Sequence, residues 1–357
     1  MTAASAALRL SVLDLVPVRR DQSSADAVAA SVSLAVRADE LGFERYWLAE
    51  HHNMPAIAAS SPPVMIGIIA SRTSRMRVGS GGVMLPNHSP LVVAEQFAAL
   101  EAAFPGRIDL GLGRAPGSDP VITALLRMSG TTSEVDDFPS NVRDIRALVA
   151  PDGATVRIPG GRDYTVSATP RATSVPEVWL LGSSDYSARL AAELGLPYVF
   201  AHHFSGTGTE RALELYRDGF RPSEALDAPR TFLTVNAVVA DTTEEARARA
   251  LPQLQQMVRL RSGLALAAVP LVDDAAAVEL APEHQRLLES MAQKWVIGDA
   301  DHAAREILDL ANRFGVDEVM VSPVASAREG EDVRRSEARE RTLELLAHDP
   351  LVTGFHS

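Results

Sequence analysis

The 357-residue chain has no cysteine and a single lysine, Lys294. Without a thiol there can be no disulfide, thiolate zinc site, cysteine-ligated iron–sulfur cluster or cysteine nucleophile, and nothing marks an oxidising compartment. Lys294 follows Gln293 rather than glycine, so the phosphate-binding Gly-Lys-Ser/Thr loop is missing, and Schiff-base chemistry has almost nowhere to sit. Positive charge is also short. The 34 basic against 46 acidic side chains give a formal net charge of −12, the opposite of what neutralising a phosphate backbone requires, so no nucleic-acid partner is expected. Long apolar runs are absent too. Stretches such as 263–272 fall far below the ~18 residues that span a bilayer, and Met1 to Leu10 holds no basic cluster ahead of an apolar core. These features predict a cytoplasmic protein with no membrane association.

What is present is a regular alternation of short apolar runs with helix-length segments, the pattern of βα units and a parallel sheet. Eight strands are predicted, over 8–18, 45–52, 76–85, 107–114, 175–184, 197–204, 230–241 and 317–323. Ser23 and Asp26 form a capping pattern ahead of the first helix, which stops near Gly42. Pro62 and Pro63 fit only the first turn of the second, and Ser89-Pro90 reads as N-cap and N1 of the third. Gly195 and Gly315 mark later helix ends, and Asp299 or Asp301 caps the last helix before the eighth strand. Together these predict an α/β fold, a (β/α)8 TIM barrel forming one domain over 1–357. Two insertions interrupt it, at about 115–174 and 262–294. The first contains a predicted hairpin, with 156–158 and 164–166 flanking Pro159-Gly160-Gly161, and the second contains an apolar stretch, Leu264 to Val272, suited to a lid over the C-terminal face.

Chemistry in such a barrel gathers at the C-terminal ends of the strands. The second strand ends Glu50-His51-His52-Asn53. Neighbouring strand residues face opposite ways, so one histidine at most enters the cavity, with Glu50 and Asn53 placed to orient it. The third ends Gly79-Ser80-Gly81-Gly82, which reads either as close approach by a flat ligand or as steric relief in a crowded interior. The fourth ends Gly111-Leu112-Gly113-Arg114. With Pro116 and a late Gly117 it fails the dinucleotide fingerprint, while the Arg114 guanidinium suits a phosphate or carboxylate. The fifth ends Gly182-Ser183-Ser184 before a helix, either an anion site at the helix N-terminus or a simple N-cap. The sixth adds His202-His203, of which one again can face inward.

These motifs resemble the bacterial luciferase-like monooxygenase family. The resemblance spans the chain and is densest from 41 to 117. It rests on Leu48 to His52, Gly79 to Pro86, the His88-Ser89-Pro90 to Glu95-Gln96 helix start, and Gly106 to Arg114. It implies an FMN-dependent monooxygenase in which reduced FMN, supplied by a separate NAD(P)H:flavin reductase, reacts with O2 at the flavin C4a position to give a peroxide that oxidises a small organic substrate. By the same resemblance His51 matches the catalytic histidine. Ser80, Gly81 and Gly82 match the strand against the flavin ring, where the family often has a non-prolyl cis peptide. Arg114, with Gly182, Ser183, Ser184 and Tyr186, matches the flavin-phosphate site, no metal is implied, and a homodimer through the early helices is expected. Luciferase itself has a reactive cysteine where this chain has Gly113, so light emission is not inferred. Three alternatives stand beside this reading: a deazaflavin (F420) dependent oxidoreductase of the same fold, a non-catalytic flavin-binding relative, and a metal-dependent hydrolase using His51, His52, His88, His202 and His203.

Overall fold

The computed structural model describes residues 8–115, 120–128, 135–349 and 352. Eight parallel strands close on themselves: β1 (Arg9–Asp14), β2 (Arg45–Leu48), β3 (Arg77–Ser80), β4 (Ile108–Gly113), β5 (Glu177–Gly182), β6 (Tyr198–Phe200), β7 (Thr231–Val239) and β8 (Glu318–Pro323). Each pairs with the next in chain order, and β8 returns to β1 in the register Arg9↔Glu318 to Val12↔Val321. The expected (β/α)8 barrel is therefore the fold. Among the described residues, principal helices α1 (Ser24–Leu41), α2 (Pro62–Ala70), α3 (Pro90–Ala103), α4 (Phe138–Val149), α5 (Asp185–Leu194), α6 (Thr209–Gly219), α7 (Thr243–Arg261), α8 (Ala300–Phe314) and α9 (Glu337–Ala347) surround it.

Local chemistry sets most of these boundaries. Ser23 and Asp26 form the reciprocal capping box at α1, whose end is taken by Gly42 in the left-handed region at φ 83°. Asp299, not Asp301, caps α8 by accepting from the His302 amide at 3.0 Å. Ser89 precedes α3 as expected but makes no side-chain cap, so Pro90 at the first helical position sets that start alone.

The strands are shorter than the apolar runs that announce them. The second stops at Leu48, so His51 and His52 lie in the turn beyond it, and Val83–Met84 is a separate short strand paired with β4. Apolar character persists past the last ladder bond because the loops at this end are themselves buried. In the first insertion the hairpin forms as expected, Ala154–Ile158 against Arg162–Val166. In the second, the apolar stretch lies against the segments that follow β1 and β8. Val269, Leu271 and Val272 are buried, and the Val269 amide donates to the Val18 carbonyl, so this stretch packs into the molecule and leaves Leu264 exposed.

Alternation along the strands sorts the interior into layers. Outward residues such as Tyr46, Leu48, Leu110, Leu112 and Leu180 join the core beneath the helices. Inward, Trp47, Trp179 and Phe232 pack with ring centroids 5.0–5.5 Å apart and plug the barrel. At its N-terminal end Arg45, 3% exposed, pairs with Asp109 at 2.9 Å and Glu318 at 2.8 Å, Arg77 pairs with Asp109 at 2.6 Å, and Arg230 pairs with Glu177. The indole N–H groups of Trp47 and Trp179 donate to Asp109 and Glu177, joining plug to charges. A buried ion cluster is stable only when so thoroughly paired.

Candidate active site

Above the aromatic plug, at the strands' C-terminal ends, glycines and Ser80 stand among apolar residues such as Leu181. The Gly81–Gly82 peptide is cis, as the family resemblance implies for this strand. The glycines are explained by crowding. A Cβ at Gly111 would sit 2.0 Å from the Ser80 carbonyl oxygen, and one at Gly82 would sit 2.4 Å from Leu181 and 2.7 Å from the Gly111 carbonyl oxygen. Strands β3 and β4 thus approach so closely that side chains are excluded, and Ser80 seals the contact by donating to the Gly111 carbonyl at 2.9 Å and accepting its amide at 3.0 Å.

His51 lies in the turn after β2 with its amide bonded to the Ala59 carbonyl at 2.8 Å. Its Nδ1 is buried and has no hydrogen-bond partner among the described residues. Burial pushes the imidazole below its ordinary value of 6.5, against an opposing pull from Glu50, so the ring is neutral at pH 7. Glu50 does not orient His51, contrary to the expectation. Its fully buried carboxylate accepts from His52 Nε2 at 2.8 Å and His88 Nε2 at 2.7 Å.

The second histidine pair lies not in the sixth strand, which stops at Phe200, but in a one-turn helix, His202–Ser205, and it is this turn that parts the two rings. His202 turns outward, with Nδ1 2.7 Å from the Thr209 hydroxyl and its ring edge-on to Phe314. His203 turns toward β7. Thr234 donates its one hydroxyl proton to the Phe200 carbonyl at 3.1 Å, so at 2.9 Å it accepts from His203 Nδ1–H, which leaves Nε2 as an acceptor. Asn236 fixes the same turn by donating to the His203 carbonyl at 2.7 Å. Burial first, then the neighbouring His202 and His51, holds the His203 pKa down to about 4.

Arg114, just past β4, lays its guanidinium over the Tyr186 ring, 4.0 Å from Cζ to the centroid. Tyr186 is in the first turn of α5, so the ends of adjacent strands β4 and β5 meet here. Ser184 occupies the N-cap position in extended conformation but makes no side-chain cap, and Ser183 and Ser184 are both exposed. The simple capping role therefore fails, and the hydroxyls and first-turn amides of α5 point to solvent or a ligand. Gly182 is required by Ser187, whose Oγ lies 2.0 Å from where a Cβ would stand.

Among the described residues no group of three or more His, Asp or Glu side chains is placed to hold a metal ion. A cavity of about 210 Å³ between α3, α4 and segment 167–176 includes none of the predicted site residues. Sequence reading missed the tie from Glu50 to His88 and the His203–Thr234–Asn236 set. Only the alternation of Thr234 and Asn236 on one face of β7 hinted at the latter.

A family model described as luciferase-like monooxygenase matches residues 8–318. A luciferase-like monooxygenase of Escherichia coli (strain K12) is 41% identical over 317 residues, covering 88% of this chain and 91% of its own. The N-acetyl-S-alkylcysteine monooxygenase of Bacillus subtilis (strain 168) is 32% identical over 327 residues, covering 90% and 95%. Among solved structures, apo-MsnO8 matches with a TM-score of 0.82 at 34% identity, covering 95% of this chain and 97% of that one.

Proposed function

This chain belongs to the luciferase-like monooxygenase family of oxidoreductases, and we propose that it uses reduced FMN and O2 to oxidise a small organic substrate. The observation that carries the reading is Arg114 stacked on Tyr186 beside the uncapped start of α5. A guanidinium fork, two serine hydroxyls and free helix amides together suit a phosphate monoester. The backbone of Ser80, Gly81 and Gly82, its serine hydroxyl spent on Gly111 and its glycines required by the packing behind them, would lie against a flat ring, and the buried His51 Nδ1, without a partner among the described residues, suits a polar group brought by a ligand.

Bound there, the reduced flavin would supply the electrons for O2 activation, which no side chain of this chain can provide. The residues do the rest. Arg114, Gly182, Ser183 and Ser184 hold the phosphate end, and the Tyr186 ring beneath the guanidinium fixes its orientation. His51, neutral with a free ring nitrogen, holds or moves a proton beside the reacting centre. The plug of Trp47, Trp179 and Phe232 excludes water from below.

As the family membership suggests, a separate NAD(P)H:flavin reductase supplies the reduced cofactor. Two copies pair through α2 and α3, where Val64, Ile68, Leu91 and Val92 are exposed together on early helices. Among the described residues no helix is long and apolar enough to cross a membrane. We place the enzyme in the cytoplasm as one domain.

The deciding experiment is anaerobic titration with reduced FMN and with reduced F420, followed by admission of oxygen with the flavin spectrum monitored. Tight FMN binding and oxygen-dependent turnover are expected. Binding of F420 alone would move the enzyme to hydride transfer, and binding of FMN without turnover would make it a non-catalytic relative.

A further inference from the structure

We infer that Glu50 is a positioning residue, whose buried carboxylate ties the turn carrying His51 to the chain that follows the Ser80–Gly82 cradle, so that both walls of the cofactor cavity hold one geometry. Glu50 is fully buried. One carboxylate oxygen accepts both His52 Nε2, at 2.8 Å, and His88 Nε2, at 2.7 Å, while the other accepts the Met84 amide at 2.9 Å. Burial raises the carboxyl pKa, yet the hydrogen bonds from His52 and His88 outweigh it and hold Glu50 at about 2, so it is ionised at every working pH. The three donors come from separate places: His52 two residues on, Met84 just past the glycines, and His88 ahead of α3. A carboxylate accepting from all three fixes their relative positions at once.

The arrangement also assigns tautomers. A carboxylate can only accept, so both His52 and His88 carry their proton on Nε2. Their remaining Nδ1 atoms face away from the clasp. His51, between Glu50 and His52 in sequence, is held there with its buried Nδ1 unbonded among the described residues.

The inference rests on the flavin reading only for its link to affinity, and the test separates the two. In ligand-free protein labelled with 15N histidine, long-range imidazole correlations are expected to show His52 and His88 as Nε2–H tautomers, and amide exchange to show Met84 protected. In Glu50→Ala both tautomer biases are lost and Met84 exchanges faster. In Glu50→Gln, which keeps volume and one carbonyl acceptor, the histidines stay while Met84 loses protection. Reduced-FMN affinity is expected to fall roughly ten- to hundredfold in Glu50→Ala, by analogy with the loss of a partner that orients metal ligands, and by less in Glu50→Gln. Failure of the unmodified protein to bind FMN would overturn the cofactor reading alone. Unchanged tautomers and exchange in Glu50→Ala would overturn this one. Should that variant not fold, unchanged Met84 exchange in Glu50→Gln overturns it.

Discussion

Arg114 and Tyr186 are 72 positions apart in sequence, yet the guanidinium of one rests 4.0 Å above the ring of the other. The pairing joins the ends of two neighbouring barrel strands and presents one cation beside an uncapped helix start.

Replacing that cation therefore tests the phosphate site directly. Arg114→Ala should weaken reduced-FMN binding by about 1.5 to 3 kcal/mol, the worth of a charged hydrogen bond. Arg114→Lys should recover only part of it, because an ammonium neither stacks nor donates as a fork. Anaerobic titration followed by fluorescence measures both, and unchanged affinity in Arg114→Ala would remove the residue from the site.

His51→Ala should leave flavin affinity nearly intact while slowing oxygen-dependent substrate oxidation by roughly 10² to 10⁴. Because burial lowers the His51 pKa, the imidazole is the neutral, proton-accepting form at pH 7. An acid limb in the rate profile is expected below pH 6.5 and should vanish in the variant. Full activity in His51→Ala would end its catalytic role.

Stability should carry its own pH signature. His202 and His203 are both held near 4, by burial first, with Arg313 and Lys294 adding to His202 and with His202 and His51 adding to His203. Between about 4 and the ordinary value of 6.5 the unfolded chain binds protons that the folded one refuses, so stability rises with pH across that window. It is fully present above 6.5. Urea denaturation midpoints measured from pH 4 to 7 should show this slope, and a His203→Gln variant should show a shallower one.

Gly111→Ala should destabilise the barrel by about 1 to 3 kcal/mol or more, since the added carbon meets a backbone carbonyl that cannot step aside. A thermal midpoint equal to that of the parent would contradict the close approach of β3 and β4.

The exposed apolar residues of α2 and α3 make the oligomeric state testable. Ile68→Asp should convert a dimer to a monomer in light scattering without loss of helical signal. A chain that is monomeric before the change would refute the pairing.

The barrel was legible because βα alternation is written in local periodicity, and because caps such as Ser23–Asp26 and Gly42 act within a few residues. Strand ends were overestimated because Val16, Ala49 and Val83 stay buried after or between the ladders, and hydrophobicity cannot report where hydrogen bonding stops. The inward set at β2, β4 and β5 could be listed from the motifs. Which of them touch could not. Glu50 sits beside His51 in sequence but binds His88, 38 positions away, and the choice between ligand approach and steric relief for the glycines needed the facing strand's coordinates.

The seam between β1 and β8 bears on how the protein is made. Arg9 registers with Glu318, Ser11 bonds the Glu318 carboxylate across 307 positions, and α1 is laced to α9 through Ser33–Glu340 and Arg37–Glu344. During synthesis the first strand must wait for nearly the whole barrel to emerge before its partner arrives. Until then β1 and β7 each present an unpaired edge, the surface on which nascent chains stick to one another. Yield at high expression should therefore depend on chaperone supply more than on the stability of the finished fold.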